Sequence, residues 1–237
     1  METVDYRIFR LEPGDVVLDL GCGEGRHVIS NYVRGDVQAI GVDLALHDLQ
    51  TTRDKFEPFR EPGNQNKSFH LSVANALQLP FPDSSFDKVI CSEVLEHIPD
   101  YQGALNEIQR VLKPGGMFAA SVPRYGPERL CWALSDEYHA NEGGHLRIFK
   151  ANQLRHDIEL LGMHYIRRHW AHALHSPFWW LKCLFWKTQE SNPFVKLWHR
   201  LLVWDMMEQP WLTRTLEKLL NPLIGKSVVM YFYKGSK

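Results

Sequence analysis

The sequence predicts an α/β protein built on a doubly wound, mainly parallel sheet, and three observations carry that expectation. Short apolar runs alternate with segments of helical period between residues 16 and 122, the order expected of strands joined by crossover helices. The run Val16–Leu20 is apolar apart from Asp19 near its carboxyl end, as suits a strand covered on both faces. It leads at once into Gly21-Cys22-Gly23-Glu24-Gly25-Arg26-His27, a glycine turn that opens a helix. Lacking a Cβ, Gly21 and Gly23 let the backbone come close to a ligand, and the helix start offers unpaired N–H groups. A binding site is therefore expected just beyond Leu20.

The chain has 237 residues, 44 % of them apolar, with 27 basic against 28 acidic side chains. That length and content suit one full α/β core with insertions. Without a basic stripe, nucleic acid is not an expected partner. The four cysteines, Cys22, Cys91, Cys131 and Cys183, have no metal-ligand spacing and read as free thiols of a reducing cytosol. No leader pattern and no apolar run of about 18 residues is present, so a cytoplasmic protein with no membrane span is expected.

In chain order, Pro13-Gly14 turns into the first strand, a helix follows over residues 25 to 34, and a second strand over residues 37 to 43 ends on Asp43. Asp43 stands about 20 residues past the glycines, where a carboxylate accepts hydrogen bonds from both ribose hydroxyls in nucleoside-binding units. Residues 67 to 73 read as a third strand, and residues 75 to 81 as a loop closed by prolines. Residues 85 to 100 read as a fourth strand, a sharp turn and a short helix broken before Pro99. An amphipathic helix over residues 104 to 112 ends at Lys113-Pro114-Gly115-Gly116, and a fifth strand covers residues 117 to 122.

Five pieces in this order, LDLGCGEG, GVDL, NALQLPFPDSSFD, VICSEVLEHIPD and EIQRVLKPGG, resemble the class I S-adenosylmethionine-dependent methyltransferases over residues 14 to 165. The resemblance implies a seven-stranded, Rossmann-like sheet and S-adenosylmethionine as cofactor. It implies that Asp19, Gly21 and Gly23 face the methionine part, Asp43 the ribose, Leu44 one adenine face, Asn75 and Ala76 the adenine edge, and that Ser92 lies near the sulfonium. Asn75 departs from the aspartate more common there, but its side-chain carbonyl still accepts a bond from the adenine amino group. The glycine spacing G-x-G-x-G places Arg26 where the dinucleotide fingerprint has glycine or alanine, which disfavours a nicotinamide-dependent oxidoreductase.

Because a sulfonium methyl is already activated, the protein must exclude water, align the nucleophile and remove any proton in the way. His97 and His145 are the candidate catalytic residues. Glu93, Glu96 and His97 recur at i, i+3 and i+4 and are expected on one helical face. Packing, proton transfer and metal binding all stay open for His97, and no metal ligand is assigned. The metal role comes from the resemblance of Glu-x-x-Glu-His to the divalent-metal ligands of ubiquinone-pathway and small-RNA O-methyltransferases, with His139 or His145 as a further ligand.

The domain expectation is a core over residues 1 to 170, a substrate lid at residues 123 to 149, a helical insertion at residues 171 to 225 and a last strand at residues 226 to 237, antiparallel to its neighbours. Residues 1 to 14 are too short for a helical cap over the site. The insertion holds six of the eight tryptophans and reads as three helices, over residues 177 to 189, 193 to 208 and 210 to 220, each opened by a proline. Its apolar surface calls for a partner: the core, a second subunit, or a membrane interface at the inner face of a membrane. An aromatic roof favours a hydrophobic small-molecule or lipid-like acceptor, with O-methylation the preferred reaction. The contrasting expectation is a catalytically silent adaptor that binds a membrane or protein through the insertion.

Overall fold

A computed structural model describes residues 2–140 and 143–235. Its first half runs β1 (Val16–Leu20), α1 (Arg26–Arg34), β2 (Gln38–Asp43), α2 (Leu46–Phe56), β3 (Ser68–Val73), β4 (Phe86–Ser92), α3 (Tyr101–Val111) and β5 (Leu112–Pro123). Then follow α4 (Tyr125–Leu134), α5 (Asp136–Ala140), α6 (Ala151–Glu159), β6 (Met163–Ala171), α7 (His175–Leu184), α8 (Pro193–Glu208), α9 (Trp211–Ile224) and β7 (Ser227–Lys234). The seven strands form one sheet in the order β3-β2-β1-β4-β5-β7-β6. Strands β1 to β5 pair in parallel, and β7 is antiparallel to β5 and to β6, as expected.

Strand alternation builds two apolar layers, one on each face of this sheet. Leu18, Leu20, Val89, Phe118 and Phe232 point to one side, against Leu105 and Ile108 of α3 and Leu154 and Ile158 of α6. Val17, Ala39, Ile90, Ala119 and Tyr231 point to the other, against Val28 and Tyr32 of α1, Leu49 of α2 and Phe9. Each such large side chain stabilises the fold by about 1.5–3 kcal/mol on burial. The chain reverses its direction of growth between β1 and β4, so a crevice opens at the carboxyl end of β1, where the glycine turn lies.

Several boundaries differ from expectation for physical reasons. The fifth strand starts at Leu112 rather than residue 117, because the register shifts between Phe86 and Lys88 and the stretch Lys113-Pro114-Gly115-Gly116 bulges alongside β4 instead of turning away. Glu93, Glu96 and His97 do not share a helical face. Only a single tight turn, Leu95–His97, forms there, and Glu93 has left-handed backbone with φ 58°. The segment expected as a lid carries a full helix, α4, which its sequence did not announce; its residues 141 and 142 lie outside the described residues. In the insertion, α7 starts at His175, with Pro177 inside its first turn. α9 runs through Pro222, held on the far side by the Gly225 N–H to the Asn221 carbonyl at 3.0 Å. All four cysteines are free and buried. Among the described residues, no helix is long and apolar enough to cross a membrane.

Candidate active site

The glycine turn is fastened to the sheet before it meets any ligand. The Gly21 and Cys22 N–H groups donate to the Val42 carbonyl at 2.8 and 3.0 Å, so the loop after β1 is tied to the end of β2. Gly21 has φ 69°, and a Cβ there would collide with the Val94 side chain. Gly23 has φ 49°, and its absent Cβ would point into open space with no atom within 4 Å. The first glycine permits close packing and the second leaves a cradle for a ligand.

Two cavities meet at this turn, sharing Gly21, Gly23 and Glu93. One, of about 520 Å³, is lined by Asp43, Leu44, Asn75 and Ala76, with His97 and Ile98 on the far wall. The other, of about 720 Å³, is lined by Ser92, Arg26, Ser30 and Glu2. The expected cofactor residues thus assemble on one crevice, with one exception. Asp19 lines neither cavity. It is buried and accepts the Val28 N–H at 2.9 Å, bracing the start of α1, and burial pushes its carboxyl up to about 7.

Asp43 is held ready for a diol, its Oδ2 accepting the Gly23 N–H at 2.8 Å and its Oδ1 the Ala45 N–H at 2.9 Å. Each oxygen keeps a lone pair for a hydroxyl donor. Asn75 closes a small turn, its Oδ1 accepting the Leu77 N–H at 2.9 Å, so one lone pair of the oxygen expected to meet adenine is already used. The Ser92 hydroxyl lies 2.9 Å from that of Ser121, which donates to Glu93 Oε1 at 2.8 Å. The N-terminal segment also reaches the site, which the sequence reading missed. The Thr3 and Val4 N–H groups point at His27 Nε2, 3.2 and 3.4 Å away, and this places Glu2 at the second cavity.

Beyond the first cavity stands a second cluster. The His97 and His145 rings have centroids 4.9 Å apart. His97 Nδ1 donates to the Gly144 carbonyl at 3.3 Å, which leaves Nε2 as the acceptor of a neutral ring. Burial, with His145 close by, holds His97 below its ordinary range, so it stays neutral near pH 7. His145 Nδ1 lies 2.5 Å from Glu128 Oε1, and Glu128 also accepts from the Trp132 indole at 3.1 Å and the Tyr138 hydroxyl at 3.3 Å. Burial works to raise the Glu128 carboxyl, but the His145 hydrogen bond and charge outweigh it and keep it low. Sequence reading did not single out Glu128, since a lone glutamate within residues 123 to 149 carries no signal.

Glu96 is fully buried, and neither of its carboxylate oxygens has a hydrogen-bond partner. Burial, reinforced by Glu93, drives its carboxyl well above the ordinary range. Donor atoms of Glu96, His97 and His145 all lie within 4.8 Å of one another, a set whose oxygen and imidazole chemistry fits a divalent cation. His139 does not join them; it stacks on Trp132 at 4.3 Å. The lid is sewn to this turn by the Leu146 N–H to the Glu96 carbonyl at 3.0 Å. Arg147 adds to the seam, its guanidinium donating to the carbonyls of Leu95, Ile98 and Pro99. Above them Tyr138 meets His145, Trp179 of α7 and Trp186 edge-on, at 5.9, 5.9 and 6.2 Å between ring centroids.

A doubly wound sheet with an antiparallel seventh strand and a glycine turn at the switch point is the Rossmann-like methyltransferase fold. Residues 18–120 match the family described as a methyltransferase domain. Among curated proteins it is 36 % identical over 106 residues to an O-methyltransferase of Pyrenophora dematioidea, covering 45 % of this chain and 38 % of that protein. It is 31 % identical over 138 residues to a sterol 24-C-methyltransferase of Pneumocystis carinii, covering 58 % of this chain and 33 % of that one. The chain therefore spans well under half the length of these relatives. Among solved structures, a SAM-dependent methyltransferase of Methanosarcina mazei superimposes with a TM-score of 0.61 at 17 % identity, covering 100 % of both chains, a likeness of fold.

Proposed function

We propose that the protein transfers the methyl group of S-adenosylmethionine to a hydroxyl of a hydrophobic small-molecule or lipid-like acceptor. The observation that carries this reading is the pair of buried Glu128 and half-buried His145 beside the crevice. The donor, when bound, supplies an activated sulfonium methyl. Asp43 would hold the ribose diol, Leu44 and Ile98 would cover the adenine, and the second cavity, with Arg26 and Ser92, would take the methionine part. His145, with its Nδ1–H fixed on Glu128, turns Nε2 to the acceptor hydroxyl and takes its proton, while the carboxylate stabilises the imidazolium that forms. His97, neutral and oriented by Gly144, accepts a hydrogen bond that aligns the acceptor. The Tyr138, Trp179 and Trp186 side chains exclude water over the same spot and favour an apolar acceptor body. Relatives described as O-methyl and sterol methyl transferases support an acceptor of this class.

A second reading has its own observation. The orphaned Glu96 oxygens, with His97 and His145, would hold a divalent cation, which would supply Lewis-acid polarisation of the acceptor oxygen. A silent adaptor is disfavoured, because such a protein has no use for a carboxylate–imidazole pair. The test is mass spectrometry of a lipid and metabolite extract incubated with the protein and deuteriomethyl-labelled donor. A labelled product formed by the parent chain and not by His145→Asn is expected. Absence of donor binding by calorimetry would overturn the enzyme reading in favour of the adaptor.

A further inference from the structure

The outer side of the helical insertion is the least covered part of the molecule. Among the described residues, half of the large apolar side chains left exposed belong to the segment from Leu184 to Leu223. On α9, Leu212, Leu216, Leu219 and Leu223 repeat at i, i+4, i+7 and i+11, one helical stripe, and are 42 % to 70 % exposed. The side of α9 next to this stripe is the one that packs inward, through Thr213 and Glu217. On α8, Phe194, Leu197 and Trp204 form a second exposed stripe, while Val195 and Leu202 face in. The corner between the two helices carries Met206, Met207 and Trp211, and Trp211 is 77 % exposed.

Charge decides what covers these stripes. In the insertion Lys182, Lys187, Lys196, Arg200 and Lys218 reach the surface, against Glu190 and Glu208. The other two acids, Asp205 and Glu217, are buried and are the ion-pair partners of Arg214. The insertion thus presents a positive surface on a chain whose formal net charge is -1. Lys196 and Arg200 lie one turn apart on α8, flanking the apolar stripe, with stems long enough to carry their charge past it. A symmetric dimer through this face would bring like charges together, because each copy contributes the same patch. Anionic headgroups meet the same charges favourably, at about fivefold in affinity for each basic residue near the surface. Exposed tryptophan beside leucine stripes and basic flanks is the composition of helices that lie in a bilayer interface.

We propose that α8 and α9 dock the protein on the surface of an anionic bilayer, with the leucine stripe of α9 and the corner holding Trp204 and Trp211 among the headgroups and the basic residues on the phosphates. The docking needs neither donor nor acceptor, so it stands apart from the proposed methyl transfer. The experiment is flotation of the full chain, without donor or acceptor, on phosphatidylcholine vesicles and on vesicles containing one third phosphatidylglycerol. Binding to the anionic vesicles at least about tenfold tighter is expected, weakening as salt rises from about 0.05 to 0.5 M, with tryptophan emission quenched by brominated lipid. Trp211→Ser combined with Leu219→Asp should weaken binding at least tenfold, and Lys196→Glu with Arg200→Glu should abolish the preference for anionic lipid. These positions are exposed, so all variants should keep the parent's unfolding midpoint; should one fail to fold, quenching of the unaltered chain still decides. No flotation on either vesicle, equal affinity for both, or a dimer in solution that Leu219→Asp dissociates would each overturn the proposal, the last assigning the face to a second copy.

Discussion

Replacing Glu128 by glutamine isolates what the carboxylate does for His145. The side chain keeps its size and its oxygen can still accept the Nδ1–H, so the ring stays oriented and only the charge is lost. Glu128 is 2 % exposed and its Oε1 lies 2.5 Å from the ring nitrogen, so little water screens the pair. Unit charges about 4 Å apart at an effective dielectric of about 20 interact by about 4 kcal/mol, which is about three decades of rate. If the imidazolium forms in the rate-limiting step, kcat should fall about 10²- to 10³-fold, within the range general-base catalysis supplies. Glu128 lines neither cofactor cavity, so the dissociation constant for S-adenosylmethionine should stay within about twofold by calorimetry. The assay is initial-rate transfer of labelled methyl to the acceptor identified by mass spectrometry. A loss of kcat smaller than about fivefold, or a parallel loss of donor binding, would refute the role given to the pair.

Three further outcomes follow from the same geometry. Asp43→Ala should weaken donor binding about a hundredfold or more, since two charge-assisted hydrogen bonds at about 1.5–3 kcal/mol each are lost; calorimetry with an unchanged circular dichroism spectrum checks this. Asp19→Asn should change the pH dependence of stability. The native carboxyl titrates near 7 and the unfolded one near 3.8, so as pH rises between these values the unfolded chain releases its proton first and the native state loses stability, by at most about 4 kcal/mol in all. The asparagine variant should therefore unfold at a higher temperature than the parent at pH 8 and gain nothing below pH 4; an equal gain at both would remove burial of the charge as the cause. Activity should survive exhaustive chelation. Loss that manganese restores would move Glu96, His97 and His145 from proton transfer to cation binding.

The crevice proposed for the donor was legible because its chemistry is local. Gly21, Gly23 and Asp43 sit at the ends of β1 and β2, where a strand's carboxyl end, a glycine spacing and an acidic residue at a fixed distance can be read along the chain. Asn75, Ala76 and Ser92 followed from motifs of the same kind. Asp19 shows the limit of such reading: the residue stands where the motif puts it, yet its carboxylate serves the Val28 N–H rather than the cavity. The helical face expected for Glu93, Glu96 and His97 failed for a related reason, as the left-handed backbone at Glu93 breaks the periodicity on which the expectation rested.

By itself, the sequence determined the sheet, its alternation of strands and helices, the antiparallel last strand and the crevice beside the glycine turn, since each depends on apolar period or on backbone freedom within a few residues. Only the tertiary structure assembled the cluster proposed to meet the acceptor. Glu128 meets His145 across 17 positions of chain, and Gly144 lies 47 positions beyond His97, pairings that exist because Leu146 and Arg147 sew the lid to the turn after β4. Only the tertiary structure, too, separated the insertion's apolar residues into those roofing His145 and those left facing outward. Hydropathy measures how apolar a side chain is, and packing determines which apolar side chains find a partner.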